Sequence, residues 1–267
     1  MKKISTIIIA ILAAAVLLAG CSKTASSSSN GSRFMKVGVR KNLPDFSSYS
    51  EEADTYYGFE DDLANALAAR LGYDGVQFVG VDPEERESVL ENGQADCIIA
   101  AYSYTEERAG KFDLSEPYYY DSGRVLVEKS TLFEDYADLK GSTVAVRNGT
   151  DAAENLAAKL AESGLIQSAD KIDTFLKIVQ YDSYDDMNIA LEYGDVDAVC
   201  ADGCISQPWL NDERMYLEEA YSEEKYVIAA AKGSDLTEKI EQALEAISAD
   251  GTLERLETKW GILNEEE

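Results

Sequence analysis

The sequence predicts an α/β fold built from two similar halves. The first observation is a strand, helix, strand, helix, strand order in the first half of the chain. The second is the return of that order in the second half, and the third is a further strand followed by two helices. Because strands that alternate with helices form parallel sheets, these patterns favour two α/β lobes around a cleft.

The first half contains five predicted elements. Residues 34–40 alternate in hydrophobicity, which is the pattern of a strand. Residues 61–71 carry apolar side chains at helical spacing, and Gly72 ends this helix. The other three elements are predicted to be a strand at 76–81, a short helix at 83–91 and a buried strand at 96–101.

The second half repeats the order. Asn148, Gly149 and Thr150 separate a predicted strand from a predicted helix, as turn-forming residues do. Strands are predicted at 123–128, 143–147, 177–181, 196–201 and 226–231, and helices at 152–162, 183–193, 236–247 and 253–260.

The amino-terminal residues are predicted to be a targeting segment. Lys2 and Lys3 precede an apolar stretch at 7–18 that is too short to span a bilayer comfortably. The following Leu-Ala-Gly-Cys resembles a bacterial lipobox, in which Cys21 is lipidated. The alternative is an ordinary secretory signal in which Cys21 falls by chance. We therefore expect a lipoprotein signal peptide at 1–20 and a lipidated cysteine with a Ser-rich tether at 21–33.

The composition excludes several classes of function. The 267 residues include 24 Lys+Arg, 51 Asp+Glu and no His, for a formal charge of −27. So acidic a chain makes nucleic acid an unsuitable partner, because phosphate binding needs clustered cations. Without histidine there is no Ser-His-Asp triad, no Cys-His pair and no His-ligated metal. We expect no metal and no cofactor.

Three cysteines remain after Cys21. Cys200 and Cys204 are close enough in sequence to form a disulfide, which an extracytoplasmic compartment would permit. Alternatively, they and Cys97 are small buried apolar residues.

A polar turn follows the strand predicted at 96–101. Thr105 suits the N-cap of a helix, whereas a cation at Arg108 opposes the dipole of its first turn. Arg108, Thr105 and the backbone at the strand end could together hold a carboxylate. The alternative is an arginine exposed on the surface.

Two further turns have matching chemistry. Gly149, Thr150 and Asp151 lie at a predicted helix start, where free N–H groups attract anions. Asp202 follows a strand and precedes Gly203, a position from which its carboxylate can accept hydrogen bonds from an ammonium group. Alternatively, the turn at 149–151 only caps the helix, and Asp202 is an aspartate that only stabilises its turn.

The order of these motifs resembles a known family. DCIIAAYSYTEER at 96–108 is followed by FDLSEPYY at 112–119 and then by Asn-Gly-Thr at 148–150. Over residues 34–263 the sequence resembles the bacterial extracellular solute-binding proteins, family 3, which serve ABC importers for polar amino acids. The resemblance implies an α/β fold of the periplasmic-binding-protein-like type II, with a hinge and an interlobar ligand cleft. We expect lobe 1 at 34–122 and 226–267, lobe 2 at 123–225, and hinges near 120–123 and 223–225.

The resemblance also implies roles for individual residues. Arg108 matches the arginine that binds the ligand α-carboxylate, helped by the backbone at Ala101 and Ser103. Asp202 matches the acid that binds the α-ammonium group.

The second-lobe turn matches the family with departures. Thr150 and Asp151 match a Gly-Thr-Thr/Ser turn, but Asp151 stands where Thr or Ser is usual. An acid at this position would either repel an anionic ligand or cap the helix. Ala100 and Ala101 also replace frequent hydroxyl residues of the first lobe.

The residue at position 40 indicates the charge of the ligand side chain. Arg40 ends the first strand, where relatives that bind cationic ligands tend to place an acid. An arginine there resembles the binders of acidic amino acids. Alternatively, Arg40 pairs with Asp45 or Asp61.

Two further positions are assigned to the ligand side chain. Arg86 resembles the arginine of an Asn-Arg-x-x-x-Leu-x-x-Gly pattern in glutamate- or aspartate-binding members; alternatively, it is an exposed helix charge beside glutamates. Tyr184 aligns with a second-lobe residue that can contact the side chain.

The resemblance implies a function, partners and a location. We expect a substrate-binding lipoprotein, not an enzyme, that captures glutamate or aspartate by lobe closure. Its expected partners are the free amino acid, an ABC permease and ATPase complex, and the membrane through Cys21, in an extracytoplasmic location. The alternatives are a binder of glutamine or cystine, and a periplasmic enzyme resembling cyclohexadienyl dehydratase.

Overall fold

Residues 32–262, the part of the chain that the computed structural model describes, contain fourteen strands and eight α-helices. The strands are β1 (Phe34–Arg40), β2 (Asn42–Leu43), β3 (Ser47–Ser50), β4 (Thr55–Tyr57), β5 (Gly75–Val81), β6 (Cys97–Ile98), β7 (Phe112–Leu114), β8 (Tyr119–Glu128), β9 (Thr143–Arg147), β10 (Lys177–Tyr181), β11 (Ala198–Asp202), β12 (Arg214–Tyr216), β13 (Ser222–Tyr226) and β14 (Ala229–Ala231). The helices are α1 (Phe59–Arg70), α2 (Arg86–Glu91), α3 (Glu106–Lys111), α4 (Ala152–Glu162), α5 (Tyr184–Tyr193), α6 (Gly203–Ser206), α7 (Asp235–Ala249) and α8 (Thr252–Trp260).

The first large sheet has the strand order β5-β1-β6-β14-β7. Its centre is parallel, because β1 pairs in the same direction with both β5 and β6, and β14 then runs antiparallel between β6 and β7. Met35, Val37 and Val39 of β1 are fully buried in one apolar cluster with side chains of α1 and α7. β14, a strand near the carboxyl end of the chain, therefore belongs to the first sheet.

The second large sheet has the order β10-β9-β11-β8-β12, with β13 also paired to β8. β9 is parallel to β10 and β11, and β8 runs antiparallel to β11, β12 and β13. Leu156 and Leu160 of α4 pack in a buried cluster with Val144 and Val146 of β9. Each large sheet therefore contains three parallel strands, as the repeated pattern predicts, and the buried cluster around β1 also includes side chains of the second sheet, such as Ala145 and Val199.

The six helices predicted from spacing are confirmed, with ends that shift by at most two residues. In the predicted helix at 83–91, the first turn is a 3-10 helix at Pro83–Glu85 that continues into α2. The predicted cap of α3 is also confirmed, since Thr105 Oγ1 accepts a hydrogen bond from the Arg108 backbone N–H at 3.1 Å.

Three predicted strands differ from the structure. The strand expected at 123–128 begins four residues earlier, at Tyr119. The strand expected at 96–101 is reduced to β6, because Ala101 adopts a positive φ of 45° that extended backbone does not allow. The strand expected at 226–231 is two strands in different sheets, β13 and β14. Between them the Val227 N–H leaves the ladder and donates to the Tyr102 carbonyl at 2.9 Å.

The small antiparallel sheet of β2, β3 and β4 was not predicted. Its strands have two to four residues, and too few positions alternate to distinguish such short polar segments from loops.

The two segments predicted as hinges pair with each other. Tyr120 lies opposite Lys225 and Ser122 opposite Glu223, in the antiparallel ladder of β8 and β13. The chain reaches this ladder from the first sheet and returns to it through β14. The hinge role and the lobe boundaries stay predictions.

Cys97, Cys200 and Cys204 are free thiols, so the structure supports their interpretation as small apolar residues and not the Cys200–Cys204 disulfide. Cys97 and Cys200 are fully buried. The predicted signal peptide at 1–20, Cys21 and the tether up to residue 31 lie outside the described residues. Within residues 32–262, every helix is too short or too polar to cross a bilayer.

The amino-terminal turn of α1 carries a buried acid, which makes stability depend on pH. Burial and the adjacent Glu60 carboxylate raise the pKa of Asp61 to about 8, and the Asp61 Oδ2 atom has no hydrogen-bond partner. When the pKa of a carboxyl is higher in the folded protein than in the unfolded chain, the free energy of unfolding falls as pH rises from the unfolded pKa to the folded pKa.

We therefore expect Asp61→Asn to raise the melting temperature at pH 8 by at least about 2 °C, the shift that about 1 kcal/mol produces in a chain of this size, and to change it little at pH 4. Circular-dichroism melts at both pH values measure this. Asp195→Asn, a change of the same kind at an exposed position, is the control. Equal effects of Asp61→Asn at both pH values would contradict the expectation.

Candidate functional site

The candidate site lies where the parallel strands of the two large sheets end. Arg40 ends β1, the Ala100–Ala101 segment follows β6, and Asp202 ends β11. The carboxyl ends of parallel strands are where α/β sheets bind ligands. These ends enclose a small cavity of about 20 Å³, enough for one or two water molecules. Its lining residues are Arg40, Arg86, Ala101, Ser103, Thr150, Asp151, Ala152, Tyr184, Cys200, Ala201, Asp202 and Ile205.

The structure brings the predicted site residues together. Of the nine, all except Arg108 line this cavity. Arg108 contacts two lining residues directly, Ser103 and Asp151. Larger grooves lie elsewhere on the described part of the chain, including one of about 390 Å³ beside α7, but no Lys or Arg lines it.

Arg108 is held between the two halves. Its Nη1 atom donates to the Ser103 carbonyl at 2.7 Å and lies 3.3 Å from Asp151 Oδ2. Its guanidinium carbon stacks 4.5 Å from the centre of the Tyr102 ring. Only 12% of the side chain is exposed, so the alternative of a surface arginine is wrong.

Asp151 neutralises Arg108 in this conformation. It occupies the N-cap position of α4 but makes no side-chain capping hydrogen bond, so the capping alternative for this departure from the family turn is wrong. Thr150 instead bonds backwards, with its hydroxyl donating to the Arg147 carbonyl at 2.8 Å. A ligand carboxylate that binds Arg108 would therefore share it with Asp151 or displace Asp151.

Arg40 is the buried cation with the least compensation. It is 1% exposed, and its Nη2 atom donates to Asn42 Oδ1 at 3.3 Å. Its Nε atom is buried without a hydrogen-bond partner, and the guanidinium carbon lies 5.9 Å from the Tyr184 ring centre. Within the described residues Arg40 forms no ion pair, so the alternative pairing with Asp45 or Asp61 is wrong.

Arg86 is occupied by backbone carbonyls. Its Nε atom donates to Pro83, its Nη1 atom to Ala100 and Ala101, and its Nη2 atom to Gly149, at 2.6–3.1 Å. It is 3% exposed, so the alternative of an exposed helix charge beside glutamates is wrong. Four of its five N–H donors are used, which leaves one for a ligand. Burial, followed by repulsion from the arginines at 108 and 40, lowers its pKa to about 10.

A buried glutamate occupies the backbone donor expected for the ligand. Glu60 Oε1 accepts hydrogen bonds from the Ala101 N–H at 2.6 Å and from the Tyr118 hydroxyl at 2.5 Å. Burial raises the pKa of Glu60, and these two hydrogen bonds oppose the shift. The Ala101 N–H is therefore already paired, contrary to its expected role, although Ala101 itself lines the cavity.

Sequence reasoning missed Glu60. Acids in a first helical turn are usually explained by the helix dipole, and three of them follow Phe59. The available signal was that Glu60 precedes Ala64 by four residues and so lies on the apolar face of α1.

Asp202 lies on the opposite wall in a strongly acidic environment. Its Oδ2 atom accepts a hydrogen bond from the Tyr226 hydroxyl. Burial, followed by repulsion from the Glu224 and Asp121 carboxylates, raises the pKa of Asp202 well above its usual range. A cation placed beside Asp202 would reverse that shift by favouring the ionised form.

The charges are divided between the two halves. Arg40, Arg86 and Arg108 come from elements of the first sheet, whereas Asp151 and Asp202 come from the second. A molecule with both a carboxylate and an ammonium group would contact cations on one wall and an acid on the other. The arrangement is suited to a small zwitterion.

Comparisons with known proteins agree with this geometry. Residues 35–262 match the family model described as "Bacterial extracellular solute-binding proteins, family 3". The chain is 26% identical to the ABC transporter glutamine-binding protein GlnH of Bacillus subtilis (strain 168), with 97% of each covered.

Solved structures are similar as well. An ancestral arginine-binding protein bound to arginine is 30% identical with a TM-score of 0.72, over 85% of this chain and 97% of that one. The ancestral amino acid-binding protein AncCDT-1, a precursor of cyclohexadienyl dehydratase, is 25% identical with a TM-score of 0.71, over 85% and 95%. The predicted periplasmic-binding-protein-like fold of type II is confirmed. With a family match over almost its whole described length, this chain belongs to the bacterial extracellular solute-binding proteins, family 3.

Proposed function

We propose that this chain captures a free amino acid by closure of its two lobes and delivers it to an ABC permease with its ATPase. It does so outside the cytoplasm, anchored to the membrane by a lipid on Cys21. Family membership supports the solute-binding role. The relative named as glutamine-binding and the neighbour bound to arginine support an amino acid as the solute.

The common part of the amino acid is recognised by charges on the two walls. Arg108 binds the α-carboxylate, together with the Ser103 segment and the Gly149-Thr150 turn. Asp202 binds the α-ammonium group. Because Arg108 lies in α3, between strands of the first sheet, and Asp202 ends β11 of the second, a zwitterion contacts both walls only when the lobes are closed, and this differential contact drives closure.

Arg40 selects an acidic side chain, so glutamate or aspartate is the ligand. The observation that carries this assignment is a 1% exposed guanidinium, without an ion pair among the described residues, that lines the cavity. A buried charge of this kind is stabilised by an anion. Arg40 also repels a cationic side chain, which separates this chain from the neighbour bound to arginine. Tyr184, beside Arg40, contacts the ligand side chain.

Glutamine and cystine are the alternative ligands, and the name of the Bacillus subtilis relative favours glutamine. The chain binds its ligand without converting it. Release of product from prephenate or arogenate, followed by absorbance, would overturn that part of the proposal.

A thermal-shift screen of the twenty amino acids and cystine tests the function. Glutamate or aspartate should raise the melting temperature most, because a ligand that binds only the native state stabilises it by mass action. Arg108→Ala should remove this shift and weaken binding in calorimetry by about 30- to 5,000-fold, since loss of one partner of a buried charge pair costs about 2–5 kcal/mol.

Lys111→Ala is the matched control for Arg108. It removes a cation from the same helix, on a side chain that pairs with Glu87 and Glu107. Its ligand affinity should equal that of the unmodified protein. Unchanged affinity in Arg108→Ala, or equal losses in both variants, would refute the role of Arg108.

The assignment of Arg40 makes a separate prediction about selectivity. Arg40→Gln should weaken glutamate binding by about 10- to 100-fold, because a hydrogen bond to a charged group contributes about 1.5–3 kcal/mol, while glutamine binding should change little or improve. Competitive calorimetry with both ligands measures the ratio. Arg255→Gln, which removes an exposed arginine, is the control. An unchanged glutamate-to-glutamine ratio in Arg40→Gln would exclude Arg40 as the selecting residue.

Binding should also depend on pH through Asp202. Because its pKa is raised, the carboxyl is protonated over part of the acidic range and cannot pair with an ammonium group there. Affinity should therefore increase as pH rises through that pKa, and binding at pH values near it should release a proton. Calorimetry in two buffers of different ionisation enthalpy measures this proton.

Asp202→Asn should abolish the proton release and reduce affinity. Glu224, whose pKa is also raised and whose carboxylate lies near Asp202, is the other group that could supply the proton. Proton release that persists in Asp202→Asn would therefore contradict the assignment to Asp202.

A further inference from the structure

The two lobes are joined by contacts that involve no ligand. The segment 82–86 follows β5 of the first sheet, and the turn 147–149 follows β9 of the second. Arg86 crosses between them, since its Nη2 atom donates to the Gly149 carbonyl at 3.1 Å while its other donors bind carbonyls of the first lobe. One side chain thus links the backbones of both lobes.

Arg147 makes the reciprocal contact. It is 2% exposed and belongs to the second sheet, where its Nη1 atom donates to the Asn148 carbonyl at 2.9 Å. The same atom lies 3.6 Å from Glu84 Oε2, and Nη2 lies 4.0 Å from Asp82 Oδ1. Asp82 is also held by Lys41 at 2.7 Å, so this acidic edge of the first lobe is fixed in place.

The backbones also touch. Gly149 has a φ of 72°, and a β-carbon at this position would lie 2.6 Å from the Glu84 nitrogen and 2.9 Å from its α-carbon. No rotation of a side chain can relieve a collision with backbone atoms. Only glycine permits the turn to approach this closely in the closed arrangement.

These residues overlap the proposed ligand contacts only in part. Asp82, Glu84 and Arg147 do not line the cavity and have no assigned ligand contact, whereas Gly149 belongs to the turn assigned to the α-carboxylate and Arg86 reaches the cavity with most of its donors already used. Their contacts join protein to protein across the cleft. They therefore add to the stability of the closed arrangement whether or not a ligand is bound.

We propose that Asp82, Glu84, Arg86, Arg147 and Gly149 form a closure latch, a set of positioning residues that populates the closed state before ligand arrives. The effect on ligand release rests on the function proposed above, but the closure itself does not. The closed cavity of about 20 Å³ is smaller than an amino acid, so the latch does not prepare a site for the ligand. Contacts of the latch that persist around a bound ligand oppose opening, so they slow ligand release.

Gly149→Ala tests the latch without any ligand. Small-angle X-ray scattering of the ligand-free protein should give a larger radius of gyration for this variant than for the unmodified chain, because the added β-carbon prevents closure. Gly164→Ala is the matched control: Gly164 lies in the second lobe with a φ of 70°, and its added β-carbon would meet no atom within 4 Å. Both variants carry the same backbone strain and should lose similar melting temperature.

Three results would overturn the latch. The first is a radius of gyration in Gly149→Ala equal to that of the unmodified protein. The second is an equal increase in Gly164→Ala, which would assign the effect to strain. The third is an unmodified protein whose ligand-free scattering already corresponds to separated lobes.

Glu84→Gln provides a second test that leaves the backbone unchanged. It should speed release of L-glutamate in stopped-flow measurements by about 1.4- to 5-fold, the range of a partly exposed ion pair. Glu91→Gln, which removes the same charge from an exposed position at the end of α2, should release glutamate at the original rate. Equal rates for both variants would remove the ion pair from the latch.

The two proposals fail separately. If no amino acid binds but Gly149→Ala still opens the ligand-free protein, the latch stands and the proposed function falls. If glutamate binds but scattering is the same for every variant, the function stands and the latch falls.

Discussion

Four arginine side chains are withdrawn from water where the two lobes meet, and each buried guanidinium needs acceptors that replace its hydration. Arg86 is satisfied by backbone carbonyls. Arg147 donates to a carbonyl of its own lobe and lies near two acids of the facing lobe. Arg108 donates to the Ser103 carbonyl and pairs with Asp151. Arg40, like Arg147, has a buried Nε atom without a hydrogen-bond partner, but it forms no ion pair within the described residues, and the acid that its charge affects, Glu60, is bonded to Ala101 and Tyr118. In the proposals made above, Arg86 and Arg147 hold the lobes together, whereas Arg40 and Arg108 bind the ligand.

Burial also penalises the charge of the acids in and beside the site. Glu60 and Asp61 at the start of α1, and Asp202 at the end of β11, all have raised pKa values because burial penalises the ionised form. The net charge of −27 repels an anionic ligand at a distance, but screening limits that effect to about 8 Å at physiological salt. Inside the cleft the nearest charges dominate. An anionic amino acid, the ligand proposed above, would therefore associate against the overall field and be retained by local arginines.

In the proposals made above, closure and selection use neighbouring but different parts of the strand ends. The latch residues hold the 82–86 segment against the turn at 147–149, while Arg40, Arg108 and Asp202 face the cavity or its wall. This separation allows the stability of the closed state to change without changing which side chain is recognised. Arg86 is the point of overlap, because it fixes the Ala100–Ala101 carbonyls of one lobe and the Gly149 carbonyl of the other.

The sequence alone determined the order of elements and the class of site. Periodicity located six helices within two residues, and the polar turns after the strands identified Thr150, Asp151 and Asp202. The family resemblance supplied the other five predicted residues that line the cavity: Arg40, Arg86, Ala101, Ser103 and Tyr184. These features are local, because a strand end, a helix cap and a glycine turn each depend on a few adjacent residues. What a side chain touches across the fold is not local. The pairing of Arg108 with Asp151, the hydrogen bonds from Arg86 to the Ala101 and Gly149 carbonyls, and the hydrogen bond from the Ala101 N–H to Glu60 join residues 15 to 63 positions apart. Only the tertiary structure decided them, because a buried charge takes whichever acceptor the packing places beside it.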